Sequence, residues 1–376
     1  MAVASPDLVK VIQEGGVDDV RKHLADNRAP IDSADEDGMT LLMHAAYKGK
    51  VDTCKLLVAR KADVNWSKHE HGYTALMFGA MSGSTEVARI LLEAGANPNK
   101  QNNIGRNAAQ LAAFIGHSAV GLVINSFFQR STLDYYSVPH GVETQPKLPP
   151  YVVSPLYELL STTNIHPINL LFCIQSNPEL LHEVKKVRAV IELLVEKQYK
   201  ELVNEVLSIK FHLISAVLQF AAKASASDTD TGPNSIDAKI KILLRGREED
   251  GFPAFMEAFL RQSIRDYPYH TSVMLEQLVR TISPVKVGDS PTSLRALHSL
   301  LFGLQMYDES KHCVTCGTGQ NVRRCTGCSQ VSYCGRKCQS LHWFTHKKHC
   351  KAAASSSSST SSKKKPSSST GATSSS

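Results

Sequence analysis

Residues 313–350 read CVTCGTGQNVRRCTGCSQVSYCGRKCQSLHWFTHKKHC, which places seven cysteines and three histidines in a short segment. A Cys-x2-Cys turn holds two thiolates on one knuckle, and an i, i+4 pair places two ligands on one helix face. Four such pairs supply the eight ligands of two tetrahedral sites, so the segment is predicted to bind two Zn2+ ions. The pairs are Cys313 and Cys316, Cys325 and Cys328, Cys334 and Cys338, and His346 and Cys350.

Other uses of these cysteines are disfavoured. Structural disulfides do not suit an odd number of thiols accompanied by a histidine, in a chain without a visible signal peptide. Redox chemistry would use one Cys-x2-Cys motif in a βαβ context rather than stacked pairs. A catalytic zinc is not expected, because eight ligands fill both sites and leave no open position for water.

The spacing resembles the MYND zinc finger, with every ligand of that family present. About forty residues cannot bury enough apolar surface to fold alone, so metal binding must supply the folding free energy. His342 and His349 do not precede Cys350 by one helical turn and are expected to face solvent. The resemblance implies interleaved ligands, with Cys313, Cys316, Cys334 and Cys338 on one zinc and Cys325, Cys328, His346 and Cys350 on the other.

Several fingers of this family bind Pro-x-Leu-x-Pro peptides, and the resemblance implies that Thr326, Gln339 and Trp343 make the contacts here. A flat indole suits a proline ring, and an extended proline-rich peptide loses little entropy on docking. Residues 146–150 read PKLPP and fit this peptide pattern. We therefore hypothesise that the finger can dock on the chain's own connector, within one chain or between two; the favoured interpretation is a stiff spacer, because five-residue proline motifs arise easily by chance.

The N-terminal third contains a repeat. GMTLL at 38–42, GYTAL at 72–76 and GRNAA at 105–109 begin units that are 34 and 33 residues apart. Each unit continues into a helix of small residues that ends in glycine, and the period resembles that of the ankyrin repeat. Residues 7–37 read as a degenerate capping unit, so the predicted array covers 7–128.

Ankyrin repeats bind other proteins through a concave face made by the first helix of each unit and the turn before it. Aromatic residues on that face make good anchors, although each of them can instead pack between repeats. The resemblance implies partner-binding positions at Tyr47, Phe78, Met81 and Phe114, with Trp66 and Tyr73 on the projecting turns.

The rest of the chain is predicted to be mostly α-helical. An extended, proline-containing connector is expected over 129–153, and an all-α domain over 154–305. Within that domain Ser154 and Asn177, each followed by proline, read as helix N-caps, and a polar loop is expected over 225–237. Residues 351–376 are rich in Ser and Lys and are expected to be disordered. Further helices are predicted near 178–194, 201–223, 238–244, 254–265, 272–282 and 291–303.

The 376-residue chain has a formal net charge of +7 and a hydrophobic share of 42%, typical of a protein without a membrane anchor. Seven thiolates and two Zn2+ ions contribute −7 + 4 = −3, which leaves about +4 for the zinc-loaded protein. Much of the remaining positive charge lies in the finger and the tail, where it suits acidic protein partners or phosphate. Thiols reserved for metal imply a reducing compartment.

The order of the parts resembles proteins that combine ankyrin repeats with a MYND domain. That resemblance implies a non-enzymatic adaptor, cytoplasmic and ciliary, which helps deliver signalling proteins such as adenylyl cyclases to the cilium. It also implies a membrane-anchored FK506-binding-protein relative as a partner. One alternative is a nucleic-acid-associated transcriptional co-regulator, because the finger is basic. Another is a lysine methyltransferase, but the chain has no Asn-His dipeptide for the SET-domain cofactor motif.

Overall fold

The computed structural model describes residues 5–26, 30–202, 204–223, 234–302 and 311–358. It divides into two compact units. The first comprises Met1–Ile236 and Glu257–Tyr307, and the second comprises Asp237–Met256 and Asp308–Ser376. The fold is mostly α, as the sequence predicts, and residues 237–256 group with the finger rather than with the helical domain.

The first unit begins with four antiparallel helix pairs. Thr40, Thr74 and Asn107 cap the inner helices of the last three pairs by accepting hydrogen bonds from backbone amides. Gly83 and Gly116 end two of these helices with φ of 77° and 95°, a conformation that a side chain disfavours. The helices are α1 Pro6–Glu14, α2 Val17–Asp26, α3 Leu41–Tyr47, α4 Val51–Ala59, α5 Ala75–Ser82, α6 Thr85–Glu93, α7 Ala108–Ile115 and α8 Ser118–Ser126.

One continuous apolar core runs through these pairs. Ala45, Ala46, Ala80 and Ala112 are fully buried, because small side chains let neighbouring inner helices approach closely. The degenerate first unit joins this core through buried residues at both of its helices, Leu8, Ile12, Val20 and Leu24.

The connector differs from the prediction of an extended segment. It contains helix α9, Arg130–Tyr136, and the helix α10, Pro150–Ser161, begins inside it. Leu148 is fully buried, and its amide donates to the carbonyl of Tyr136 at 3.0 Å. Prolines 149 and 150 fit this arrangement because they occupy the N-cap and first helical positions, where no amide hydrogen is needed.

The predicted N-cap at Ser154 is wrong, because Pro155 lies inside α10. Its missing amide costs one intrahelical bond, while the helix buries Val152, Leu156 and Leu160. The predicted helix over 178–194 is divided at Glu183, with Pro178 rather than Asn177 at the N-cap of the first part. The helices that follow α10 are α11 Pro167–Ser176, α12 Glu179–His182, α13 Val184–Lys200, α14 Glu205–Ala222, α15 Asn234–Leu243, α16 Ala254–Arg265, α17 Val273–Ile282 and α18 Ser293–Phe302.

Helix α14 is the central helix of the helical domain. The hydroxyl groups of Ser208 and the buried Tyr267 form a 2.8 Å hydrogen bond, and Phe211 packs edge-on against Phe128. Among the described residues, α14 is the one helix with the length and mean hydropathy, 1.3, of a membrane span, and 61% of it is buried inside the fold. A core helix of a water-soluble domain has the same properties.

In the second unit, a two-stranded antiparallel sheet pairs β1, Arg323–Arg324, with β2, Ser332–Tyr333. Helix α19, Arg336–Ser358, follows. The tail is predicted to be disordered from Lys351, but α19 continues through Ser358, and three alanines at 352–354 favour this extension. Residues 359–376, and most of the predicted polar loop at 225–237, lie outside the described residues.

Candidate functional site

Two turns and one helix position the eight predicted metal ligands. In the first knuckle the amide of Gly317 donates to the carbonyl oxygen of Cys313 at 2.8 Å, and in the second the amide of Ser329 donates to the carbonyl oxygen of Cys325 at 2.9 Å. The second knuckle lies in the connection between β1 and β2, and Cys334 directly follows β2. Cys338 lies in the first turn of α19, and His346 and Cys350 lie one turn apart further along it.

The structure brings the eight ligands together in two groups of four. Within each group, all the ligand atoms lie within 4.8 Å of one another. The groups are interleaved along the chain as the resemblance implied, with Cys313, Cys316, Cys334 and Cys338 in one and Cys325, Cys328, His346 and Cys350 in the other.

The distances within each group fit tetrahedral zinc. Zn–S bonds of about 2.3 Å place two sulfurs of a tetrahedron about 3.8 Å apart, and a nitrogen and a sulfur about 3.6 Å apart. The Cys316 and Cys334 sulfurs are 3.6 Å apart, and those of Cys325 and Cys350 are 3.9 Å apart. His346 Nε2 lies 3.5 Å from the Cys328 sulfur, so this nitrogen is the ligand atom.

The electrostatics of the first group suit a bound cation. Hydrogen bonds from the thiols of Cys316 and Cys338 stabilise the Cys313 thiolate and lower the pKa of Cys313. The same hydrogen bonds raise the pKa of Cys316 to about 12 and raise that of Cys338. One thiolate therefore forms at the expense of its neighbours, and a divalent ion is needed to hold all four deprotonated.

The prediction that His342 faces solvent is wrong. His342 Nδ1 lies 3.0 Å from the Tyr333 hydroxyl, and the ring stacks against His346 at 5.7 Å between centroids. Burial lowers the pKa of His342 to about 4, so the ring is neutral at physiological pH. His342 thus orients the ligand His346 rather than binding metal itself.

Residues 237–256, here called the strap, contact α19. Thr345 Oγ1 donates to the carbonyl of Leu244 at 3.1 Å, and Lys348 lies 3.7 Å from Glu248. Gly251 has φ of 72°, and a Cβ there would lie 2.8 Å from the ring of His349. His349 therefore packs on the strap instead of facing solvent, and sequence spacing gave no signal of this contact.

The predicted peptide-binding residues of the finger are accessible. Thr326 is exposed in the second knuckle, Gln339 is half-buried, and Trp343 is 44% exposed one turn further along α19. The neighbouring Phe344 is 37% exposed. The second knuckle and α19 supply the ligands of the same metal site. That site therefore links Thr326, in the knuckle, to the helix that carries Gln339 and Trp343.

On the ankyrin array, the predicted positions have different environments. Phe114 is 73% exposed beneath the guanidinium of Arg106, and Tyr47 is 46% exposed. Phe78 is buried and contacts Tyr47, Tyr73 and His69, so it supports the surface rather than forming it. His69 was not predicted; no motif marks it, and only the fold brings it to the aromatic cluster. Met81, Trp66 and Tyr73 are partly buried.

A groove of about 840 Å3 lies on the helical domain, where no site was predicted. Residues of α13 and α14 line it, including the small Ser215 and Ala216, together with Ser263 of α16. Lys185, Arg188 and Glu192 line it, so its wall carries both signs of charge. The guanidinium of Arg188 donates hydrogen bonds to the Ser215 hydroxyl at 3.2 Å and to the Glu192 carboxylate at 3.1 Å.

Comparison with known proteins agrees with this geometry. Residues 8–102 match a family model described as ankyrin repeats, in three copies that include the degenerate first unit. Residues 313–350 match the MYND finger. The chain is also similar to dauer abnormal formation protein 25 of Caenorhabditis elegans, with 29% identity over 321 residues that cover 84% of this chain and 82% of that protein. The chain therefore contains ankyrin repeats and a MYND finger with two zinc ions.

Proposed function

We propose that this protein is a non-enzymatic adaptor that binds one set of partners through the ankyrin face and another through the MYND finger. Ankyrin repeats and MYND fingers are protein-interaction modules, and the chain carries both. The observation that carries the proposal is the exposure of aromatic side chains on each module, Phe114 and Tyr47 on the array and Trp343 on the finger. Partly exposed aromatic residues are frequent anchors of protein interfaces.

The metal site supports the non-enzymatic part of the proposal. Each zinc has four protein ligands available, so no coordination position is left for water or a substrate. The role of the metal is then to stabilise the fold of the finger. A test is to incubate the zinc-loaded protein with S-adenosylmethionine and lysine-bearing peptides, and methyl transfer would contradict the proposal.

We further propose that the adaptor works in the cytoplasm and the cilium, where it helps deliver signalling proteins. The support is the resemblance to proteins with the same order of domains, which implies adenylyl cyclases as cargo and a membrane-anchored FK506-binding-protein relative as partner. The similarity to the worm protein extends across the helical region as well as the two modules, because it covers 84% of the chain.

Proximity labelling in ciliated cells tests both parts. We expect Phe114→Glu and Trp343→Ala each to remove a different subset of the labelled proteins, while the level of the protein and its zinc content are unchanged. Depletion of the protein should reduce the amount of adenylyl cyclase in cilia. A single set of partners lost with both variants, or none lost with either, would contradict the two-surface adaptor.

A further inference from the structure

The finger has an extreme charge composition. Residues 311–358 contain no aspartate or glutamate, whereas they contain eight lysines and arginines. Two fully coordinated zinc sites add only −2 and −1, and their thiolates are mostly buried. The surface of the finger is therefore cationic. The residues are Lys311, Arg323, Arg324, Arg336, Lys337, Lys347, Lys348 and Lys351.

One exposed face of α19 combines this charge with aromatic side chains. Arg336, Ser340, Trp343 and Lys347 follow one another at intervals of four, three and four residues, which aligns them on a single helical stripe. All four are exposed, and Phe344 lies beside Trp343. In the part of the chain that the structure describes, neither Arg336 nor Lys347 has a carboxylate partner. The stripe thus presents unneutralised cations on both sides of an apolar centre.

The strap does not cover this stripe. It contacts α19 through Thr345, Lys348 and His349, on a different face of the helix. The metal ligands Cys338, His346 and Cys350 occupy a third face. Since the strap and the metal hold α19 from two directions, the stripe is fixed in place and remains accessible.

We propose that this stripe binds an acidic, extended segment of a partner protein that also carries apolar side chains. The charge complementarity is the main argument, because carboxylates would pair with Arg336 and Lys347 while apolar groups cover Trp343 and Phe344. The stripe is about 16 Å long, since eleven residues rise 1.5 Å each. An extended peptide of about five residues spans that length.

The partial burial of the two rings favours a peptide over other anionic partners. Trp343 and Phe344 are 44% and 37% exposed, so more than half of each residue is already covered within the protein. Insertion into a bilayer or stacking with a nucleic-acid base requires a more open ring. Contact with an apolar side chain needs only the exposed edge. The inference rests on the proposed function, because it names the chemistry of the ligand that the finger binds.

The test uses the full-length, zinc-loaded protein and a fluorescein-labelled peptide of Glu, Asp and Leu. Its matched control is the same peptide with Gln and Asn in place of the acids. We expect the acidic peptide to bind, with affinity falling as salt is raised, and the neutral peptide to bind at least about tenfold more weakly. Arg336→Glu with Lys347→Glu should abolish the difference between the two peptides.

The control variant carries Lys10→Glu and Lys22→Glu, the same charge change on exposed residues of the first helix pair, and should bind like the wild type. If the double variant loses zinc, binding of the two peptides is measured with Lys347→Glu alone, which should reduce the difference between them. Equal binding of the two peptides would overturn the inference, as would tighter binding to mixed-sequence DNA or to phosphatidylserine vesicles. If cellular partners still depend on Trp343 in that case, the adaptor function stands and only the acidic ligand is wrong.

Discussion

Lys210 lies fully buried in α14, and its ammonium nitrogen has no hydrogen-bond partner in the part of the chain that the structure describes. Burial without a counter-charge lowers the pKa of Lys210 from 10.5 to about 7. We predict that Lys210→Met stabilises the protein, because methionine keeps an unbranched apolar side chain and removes the amine.

The size of the effect follows from the two pKa values. Each pKa unit corresponds to 1.36 kcal/mol, so a fall from 10.5 to about 7 amounts to about 5 kcal/mol, an upper value if water reaches the amine. Between pH 7 and pH 10.5 the unfolded chain binds the proton and the folded chain does not, so stability increases with pH. The free-energy cost of burying the Lys210 charge is complete below the pKa of the folded state and disappears above the pKa of the unfolded state.

The measurement is the free energy of unfolding from urea titrations followed by circular dichroism, at several values between pH 7 and pH 10. We expect the variant to exceed the wild type by several kcal/mol at pH 7, and the excess to shrink as the pH rises. Lys185→Met, on the exposed surface of α13, is the control and should show little change. Destabilisation by Lys210→Met, or an excess that does not depend on pH, would refute the reasoning.

Three further predictions concern the finger and the connector. Cys334→Ala should reduce zinc binding at both sites, measured by native mass spectrometry; loss of one ion with the other bound at full affinity would contradict cross-bracing. Gly251→Ala should make zinc easier to remove with a chelator, at a cost of about 1–3 kcal/mol. Gly141→Ala, whose Cβ would meet nothing within 4 Å, should leave zinc retention unchanged. Leu148→Ala should lower the free energy of unfolding by about 2–5 kcal/mol, and an unchanged value would show that the connector is not packed.

The burial of Leu148 also argues against the hypothesis that the finger docks on the connector. A Pro-x-Leu-x-Pro ligand must offer its leucine to the finger, but this leucine is 0% exposed in the helical domain. Docking would require the segment to leave that core, at a cost comparable to the Leu148→Ala effect. The burial of Leu148 therefore disfavours docking of the finger on residues 146–150. The fold uses Pro149 and Pro150 to begin α10.

Features set by local sequence could be predicted, and features set by tertiary packing could not. Ligand spacing within the finger and the repeat period of the array are local, so both zinc groups and the helix pairs agree with expectation. The strap was not predicted, because its contacts with α19 join residues about a hundred positions apart, such as Leu244 and Thr345. Phe78 illustrates the same limit, since its position marked it as a surface anchor and neighbouring rings bury it.

The three faces of α19 have different roles, and one of them contacts residues outside the 38-residue motif. One face supplies Cys338, His346 and Cys350 to the two zinc sites, so the metal fixes the helix to the knuckles. A second face packs on the strap through Thr345 and His349, adding contacts that the short motif cannot supply by itself. Because two faces are held, the third needs no contribution to stability. That face can therefore carry unpaired cations and exposed aromatic rings. Unpaired charges would be costly on a buried face, but both groups suit a face that binds a partner.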